Sequence, residues 1–156
     1  MVFVDTSGLY AVFDRDDRNH AVAAHRWRAL LDSDVRLVTH NYVVLELTAL
    51  LRTRLGMDAV RDLTVEVLPV LTVQWVSETI HAQGMHAMLA AGRRTRSLTD
   101  CVSFEIMRRN GCTTAFVFDP HFEEQGFTAF SPEGTEATEG TEGTEGTEGI
   151  RPSDAE

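Results

Sequence analysis

Residues 1–10, MVFVDTSGLY, set three apolar side chains, Val2, Phe3 and Val4, directly against Asp5, Thr6, Ser7 and Gly8. The triplet reads as a short buried strand, and the acid and hydroxyls behind it read as the start of a helix. The same junction returns in residues 113–122, TTAFVFDPHF, where Phe116, Val117 and Phe118 run into Asp119 and Pro120. Strands that are apolar on both faces belong in a sheet covered on both sides. The two stretches therefore point to an α/β domain with a central parallel sheet flanked by helices.

Working outward, the segments between them alternate in the same sense. Residues 7–14 predict a short helix, with Asp5, Thr6 or Ser7 as its cap. Residues 18–34 predict a longer one, with Ala21, Ala24, Trp27, Leu30 and Leu31 as candidates for its buried face. VRLVTH (35–40) reads as a strand, with Thr39 positioned to cap the apolar helix NYVVLELTALLRTRLG (41–56), which Gly56 closes. A helix over 57–69 ending at Pro69, a strand over 71–76, and helices over 77–92 and 97–111 complete the alternation, with Ser77 capping the first of that helix pair and Ser97 or Thr99 the second.

The chain has 156 residues and 43% apolar composition, enough for one domain with a real core. Its two cysteines, Cys101 and Cys112, lack zinc-finger spacing and predict reduced thiols in a cytoplasmic protein. No stretch resembles a signal peptide or is long enough to span a bilayer, so no membrane partner is expected. The net charge of −10 is concentrated at one end: residues 131–156 hold eight acids and one arginine. Residues 1–130 carry sixteen acids against thirteen arginines, a balance that permits local contact with a polyanion. The T-E-G repeat of the last 26 residues has almost nothing to bury and predicts a disordered tail behind a domain of residues 1–130.

Four acids stand out. Glu46 lies among Tyr42, Val43, Ala49 and Leu50 at helical spacing, with no cation one turn away. Asp100 falls in the first turn of its helix, where the helix dipole welcomes a carboxylate. Asp119 precedes a proline, as a cap does, and Asp5 repeats that design. Each has a local explanation, yet in a parallel sheet the carboxyl ends of strands and the N-termini of helices open onto one crevice. Four carboxylates gathered there would repel one another unless they held a hard divalent cation, Mg2+ or Mn2+.

The motifs FVDTSGL, VVLELTALL, SLTDCVSFEIM with RRNG, and FVFDPHFEEQGF, in that order, resemble the PIN-domain nucleases, and specifically the VapC-type toxins of toxin–antitoxin pairs. The resemblance spans residues 1–130 and implies a PIN-like fold. It also implies a metal-dependent endoribonuclease whose acidic quartet is Asp5, Glu46, Asp100 and Asp119, with Ser7 and Ser97 as small hydroxyl residues beside the site. It further implies an RNA substrate, with tRNA or another structured RNA as a candidate, a cognate antitoxin, and a homodimer. Water activated by the metal takes the role of base, and His121 is read as a surface or packing residue beside Phe122.

Among the arginines, Arg93, Arg94 and Arg96 precede Asp100, and Arg96 is the foremost candidate for a phosphate contact. Arg108 and Arg109 are adequately explained by the end of their helix. An aspartyl phosphatase fits poorly, because VDTSG has no second acid two places after Asp5. The remaining rival is a PIN-like binding module that has lost catalysis.

Overall fold

The computed structural model describes residues 1–92 and 96–132. Arg93 and Arg94, and the repeat tail from residue 133 onward, lie outside the described residues. Five short strands, β1 (Val2–Val4), β2 (Leu37–His40), β3 (Thr72–Gln74), β4 (Thr114–Phe116) and β5 (Thr128–Ala129), form one sheet in the order β3-β2-β1-β4-β5. Every pairing is parallel, with Phe3 opposite Val38 on one side and Ala115 on the other. The strand read from the first residues is the central one.

Alternation along the strands divides the core into two layers. Val2, Val4, Leu37 and Phe116 face a cluster with Leu9, Trp27, Leu30, Leu47, Leu51 and Leu63. Phe3, Ala115 and Val117 face the other, with Ile80, Val102, Phe104, Ile106, Met107 and Phe122. Helices α1 (Thr6–Phe13), α2 (His20–Leu31) and α4 (Met57–Asp62) pack on the first face, and α5 (Glu78–Ala91), α6 (Leu98–Arg109) and the single turn α7 (His121–Glu124) on the second. Helix α3 (Asn41–Arg54) spans both, placing Val43 in one layer and Leu47 and Leu51 in the other. No helix among the described residues is long and apolar enough to cross a membrane.

Several details depart from the sequence reading. The buried face of α2 is Ala23, Trp27 and Leu30, while Ala21 and Leu31 face outward. The helix expected over 57–69 is continuous only to Asp62; residues Leu63–Val67 widen into a π-turn and Leu68–Val70 tighten into a 3-10 turn around Pro69. His40, not Thr39, caps α3: its imidazole accepts from Val43 N at 3.4 Å, while the Thr39 hydroxyl donates to Val4 O at 2.8 Å and ties β2 to β1.

One glycine is demanded by close approach. A Cβ on Gly8 would run into the backbone carbonyl and ring of Phe116, so the first turn of α1 can lie against the end of β4 only because that position has no side chain.

Candidate metal centre and active site

Asp5 ends β1 and caps α1, and it is buried at 4% exposure. Its Oδ2 accepts from the Ser7 backbone N at 2.9 Å and from Ser7 Oγ at 2.8 Å. The same Ser7 hydroxyl accepts from Phe118 N at 3.1 Å, which ties the end of β4 to the end of β1. Its proton and one lone pair are therefore committed to positioning Asp5, an occupation the sequence reading, which set Ser7 beside the site, did not foresee.

Glu46 reaches the same crevice from the second turn of α3. Its Oε2 accepts from Thr6 Oγ1 at 2.8 Å, a partner the sequence reading missed. The stripe around Glu46 is only partly interior: Val43 is buried but Ala49 and Leu50 are exposed, so the carboxylate sits at the rim of the core.

Asp100 comes from α6 through a reciprocal cap. Ser97 Oγ accepts from Asp100 N at 3.0 Å, and Asp100 Oδ2 accepts from Ser97 N at 2.7 Å. Ser97 thus holds the first turn of α6, leaving the second oxygen of Asp100 for the crevice. Asp119 follows β4 and accepts at Oδ1 from His121 N at 2.9 Å, a local turn that sets up α7.

The electrostatics tie the four acids together. Burial pushes Asp5 up to about 7, against the opposing hydrogen bonds from Ser7, and the charge of Asp100 pushes it further. Glu46 is raised first by burial and then by the charges of Asp100 and Asp119, opposed by bonds from Thr6 and Thr99. Asp100 is raised by burial and by Asp119, opposed by its bonds from Ser97 and by His121. Among the described residues no arginine pairs with any of the four. A partly buried group of mutually repelling carboxylates with no arginine set against it fits a divalent cation, since oxygen ligands of this kind are what such ions take.

His121 stands closer to the acids than the sequence suggested. A ring nitrogen of His121 and carboxylate oxygens of Asp100 and Asp119 all lie within 4.8 Å of one another. The D-x-H spacing after β4 was the signal that could have shown this.

Arg96 is more occupied than a free phosphate clamp would be. Its guanidinium lies 5.8 Å from the Phe104 ring centre and Nη2 lies 3.6 Å from Glu124 Oε2, with the side chain only 13% exposed.

A buried clasp lies behind the acids. His40, fully buried, donates from Nε2 to Ser103 Oγ at 2.8 Å, and Ser103 donates on to Thr99 O at 2.9 Å. With Nδ1 accepting from Val43, the ring is held in one neutral tautomer, and burial pushes its pKa down to about 4. The start of α3, which carries Glu46, is thereby fastened to the first turn of α6, which carries Asp100.

Against known proteins, the family model of the PIN domain matches residues 2–127. The chain is 31% identical over 134 residues to the 23S rRNA-specific endonuclease VapC20 of two Mycobacterium tuberculosis strains, an alignment covering 85% of this chain and 100% of the relative. Among solved structures, the Mycobacterium tuberculosis VapC20 crystal structure, described as a sarcin-ricin loop cleaving toxin, superposes with a TM-score of 0.73 at 29% identity, covering 82% of this chain and 97% of that one. FitAcB from Neisseria gonorrhoeae shares the fold with a TM-score of 0.58 at 19% identity, covering 86% of this chain and 100% of that one. With a parallel five-stranded sheet in place and the match running from β1 through α7, the chain belongs to the PIN-domain family, among its VapC-type members.

Proposed function

We propose that this chain is a metal-dependent endoribonuclease, the toxin of a toxin–antitoxin pair, which holds Mg2+ or Mn2+ with Asp5, Glu46, Asp100 and Asp119 and hydrolyses phosphodiester bonds in a structured RNA. The observation that carries the reading is the convergence of four acids, three of them raised by burial and by one another, in a chain aligned over the full length of an rRNA endonuclease. A bound divalent ion would supply water activation and compensate charge on the departing oxygen.

The chain's own residues do the positioning. Ser7 fixes Asp5 and locks it to β4, Thr6 orients Glu46, and the Ser97 cap aims Asp100. Substrate phosphates would meet Arg96, which must exchange Glu124 for the RNA, at the edge of this crevice. The relative's target makes a ribosomal RNA loop the first substrate class to test, ahead of tRNA. A homodimer and an antitoxin that closes the crevice complete the reading.

The test is cleavage of ribosomal RNA and tRNA by purified protein with Mg2+, with Mn2+ and with EDTA. Cutting that needs either metal and stops with chelator supports the reading. Undiminished cutting in chelator would overturn the metal dependence. No cutting of either RNA under any condition would favour the inactive binding module.

A further inference from the structure

The turn after β4 folds the His121 ring back over the acid that precedes it. Asp119 Oδ1 accepts from the His121 backbone N at 2.9 Å, and the His121 Nδ1 comes to rest 2.8 Å from that same oxygen. The approach is close but out of line for a hydrogen bond: Nδ1 has no hydrogen-bond partner and no contact with solvent. At 2.8 Å from a carboxylate oxygen that nitrogen needs either a proton or a metal ion, since two bare lone pairs would repel. The carboxylate oxygens of Asp100 and Asp119 converge on the same ring within 4.8 Å.

We propose that His121 is a nitrogen ligand to a divalent ion shared with Asp100 and Asp119, and that it tilts the site toward Mn2+ over Mg2+. The inference rests on the reading that the acidic quartet holds metal and adds to it a ligand of different chemistry. Carboxylates and water satisfy Mg2+, whereas imidazole is a ligand for first-row transition ions, which hold nitrogen more tightly than Mg2+ does. A site of oxygens alone would give little reason to choose between the two. One imidazole turned toward the acids supplies that reason. His121 also sits at the start of α7, with the neighbouring Phe122 fully buried in the core, so the ring is carried on an anchored backbone.

The experiment loads the full chain with Mn2+ and reads the ion's electron spin resonance, with pulsed detection of coupling to nitrogen. The expected result is bound Mn2+ showing coupling to an imidazole 14N that disappears in His121→Gln. In that variant Mn2+ affinity should fall by about 10-fold or more, and Mg2+ affinity, measured by competition, by less than about 3-fold. A thermal melt of the metal-free variant keeps the test interpretable if folding suffers, and it should match the wild type. Bound Mn2+ without nitrogen coupling, or with coupling that survives in His121→Gln, would overturn the role of His121 while leaving the quartet standing. Absence of any bound Mn2+ or Mg2+ would overturn both.

Discussion

Glu46 shows what a single side chain reveals about the whole site. It is the acid whose surroundings look least hospitable in the sequence, and the structure places it at the rim of the core with the Thr6 hydroxyl donating to it at 2.8 Å. An isosteric amide keeps an oxygen for Thr6 and removes a charge that Asp100 and Asp119 repel. Glu46→Gln should therefore lose RNA cleavage by about 100-fold or more, yet melt at or above the wild-type temperature in chelator. Mg2+ should raise the wild-type melting temperature more than the variant's, since only binding to the folded state stabilises it. A variant clearly less stable than wild type in chelator would mark Glu46 as a structural acid. The four acids stand out in the sequence because each follows an apolar strand, opens a helix or interrupts an apolar run. Thr6, Thr99 and the turn of His121 do not, because hydroxyl and imidazole partners are chosen by tertiary approach and leave no periodic trace. The same holds for Ser7, whose hydroxyl is spoken for by a strand end 111 residues away.

At the scale of elements, strand and helix order was readable from apolar runs and caps, while junctions decided by packing were not. The cap of α3 is His40 because Thr39 is drawn off to the β1 backbone, and α4 loosens into a π-turn although its residues read as one helix. The clasp through His40 and Ser103 gives a direct test. Ser103→Ala leaves the buried Nε2–H of His40 without an acceptor and should cost about 1–3 kcal/mol in denaturant unfolding. A change within error would mean the two helix starts are fastened by packing alone. Gly8→Ala probes the junction of α1 with β4. Because the added methyl meets the Phe116 carbonyl, it should cost about 1–3 kcal/mol and weaken metal binding, as it pushes apart the strand ends that carry Asp5 and Asp119. Calorimetric titration with Mn2+ reads the second effect, and unchanged affinity would separate the junction from the site.

For the molecule as a whole, stability and function pull in opposite directions, and pH exposes this. Asp5 has a folded pKa near 7, above its ordinary 3.8, so its contribution to stability is full below about 3.8 and is lost as pH rises through about 7. Glu46 and Asp100, also raised, act in the same sense. His40 acts in reverse: lowered from 6.5 to about 4, its contribution is full above 6.5 and lost as pH falls toward 4. Metal-free protein should accordingly lose melting temperature between about pH 6.5 and 7.5, and saturating Mg2+ should reverse that trend. A metal-free melt that rises over this interval would contradict the buried-acid picture. Removing residues 133–156 should leave both the melt and RNA cleavage unchanged, since the last strand is complete at Ala129 and the family match ends at residue 127. The parallel sheet and its two apolar layers were evident from composition and alternation, but the position of β1 at the centre was not. That position governs how the protein comes into being. The ribosome releases β1 first, yet the strand gains β2 only after residue 40 and β4 only after residue 116, and the last acid follows at residue 119. Contacts this distant in sequence form late, because the chain must close a long loop before any contact rewards it. A nascent chain therefore carries an incomplete sheet and three scattered acids until synthesis of the domain is nearly finished. A chain built this way should be unable to cleave RNA before residue 119 has emerged, because until then neither the paired β4 nor the fourth acid is in place.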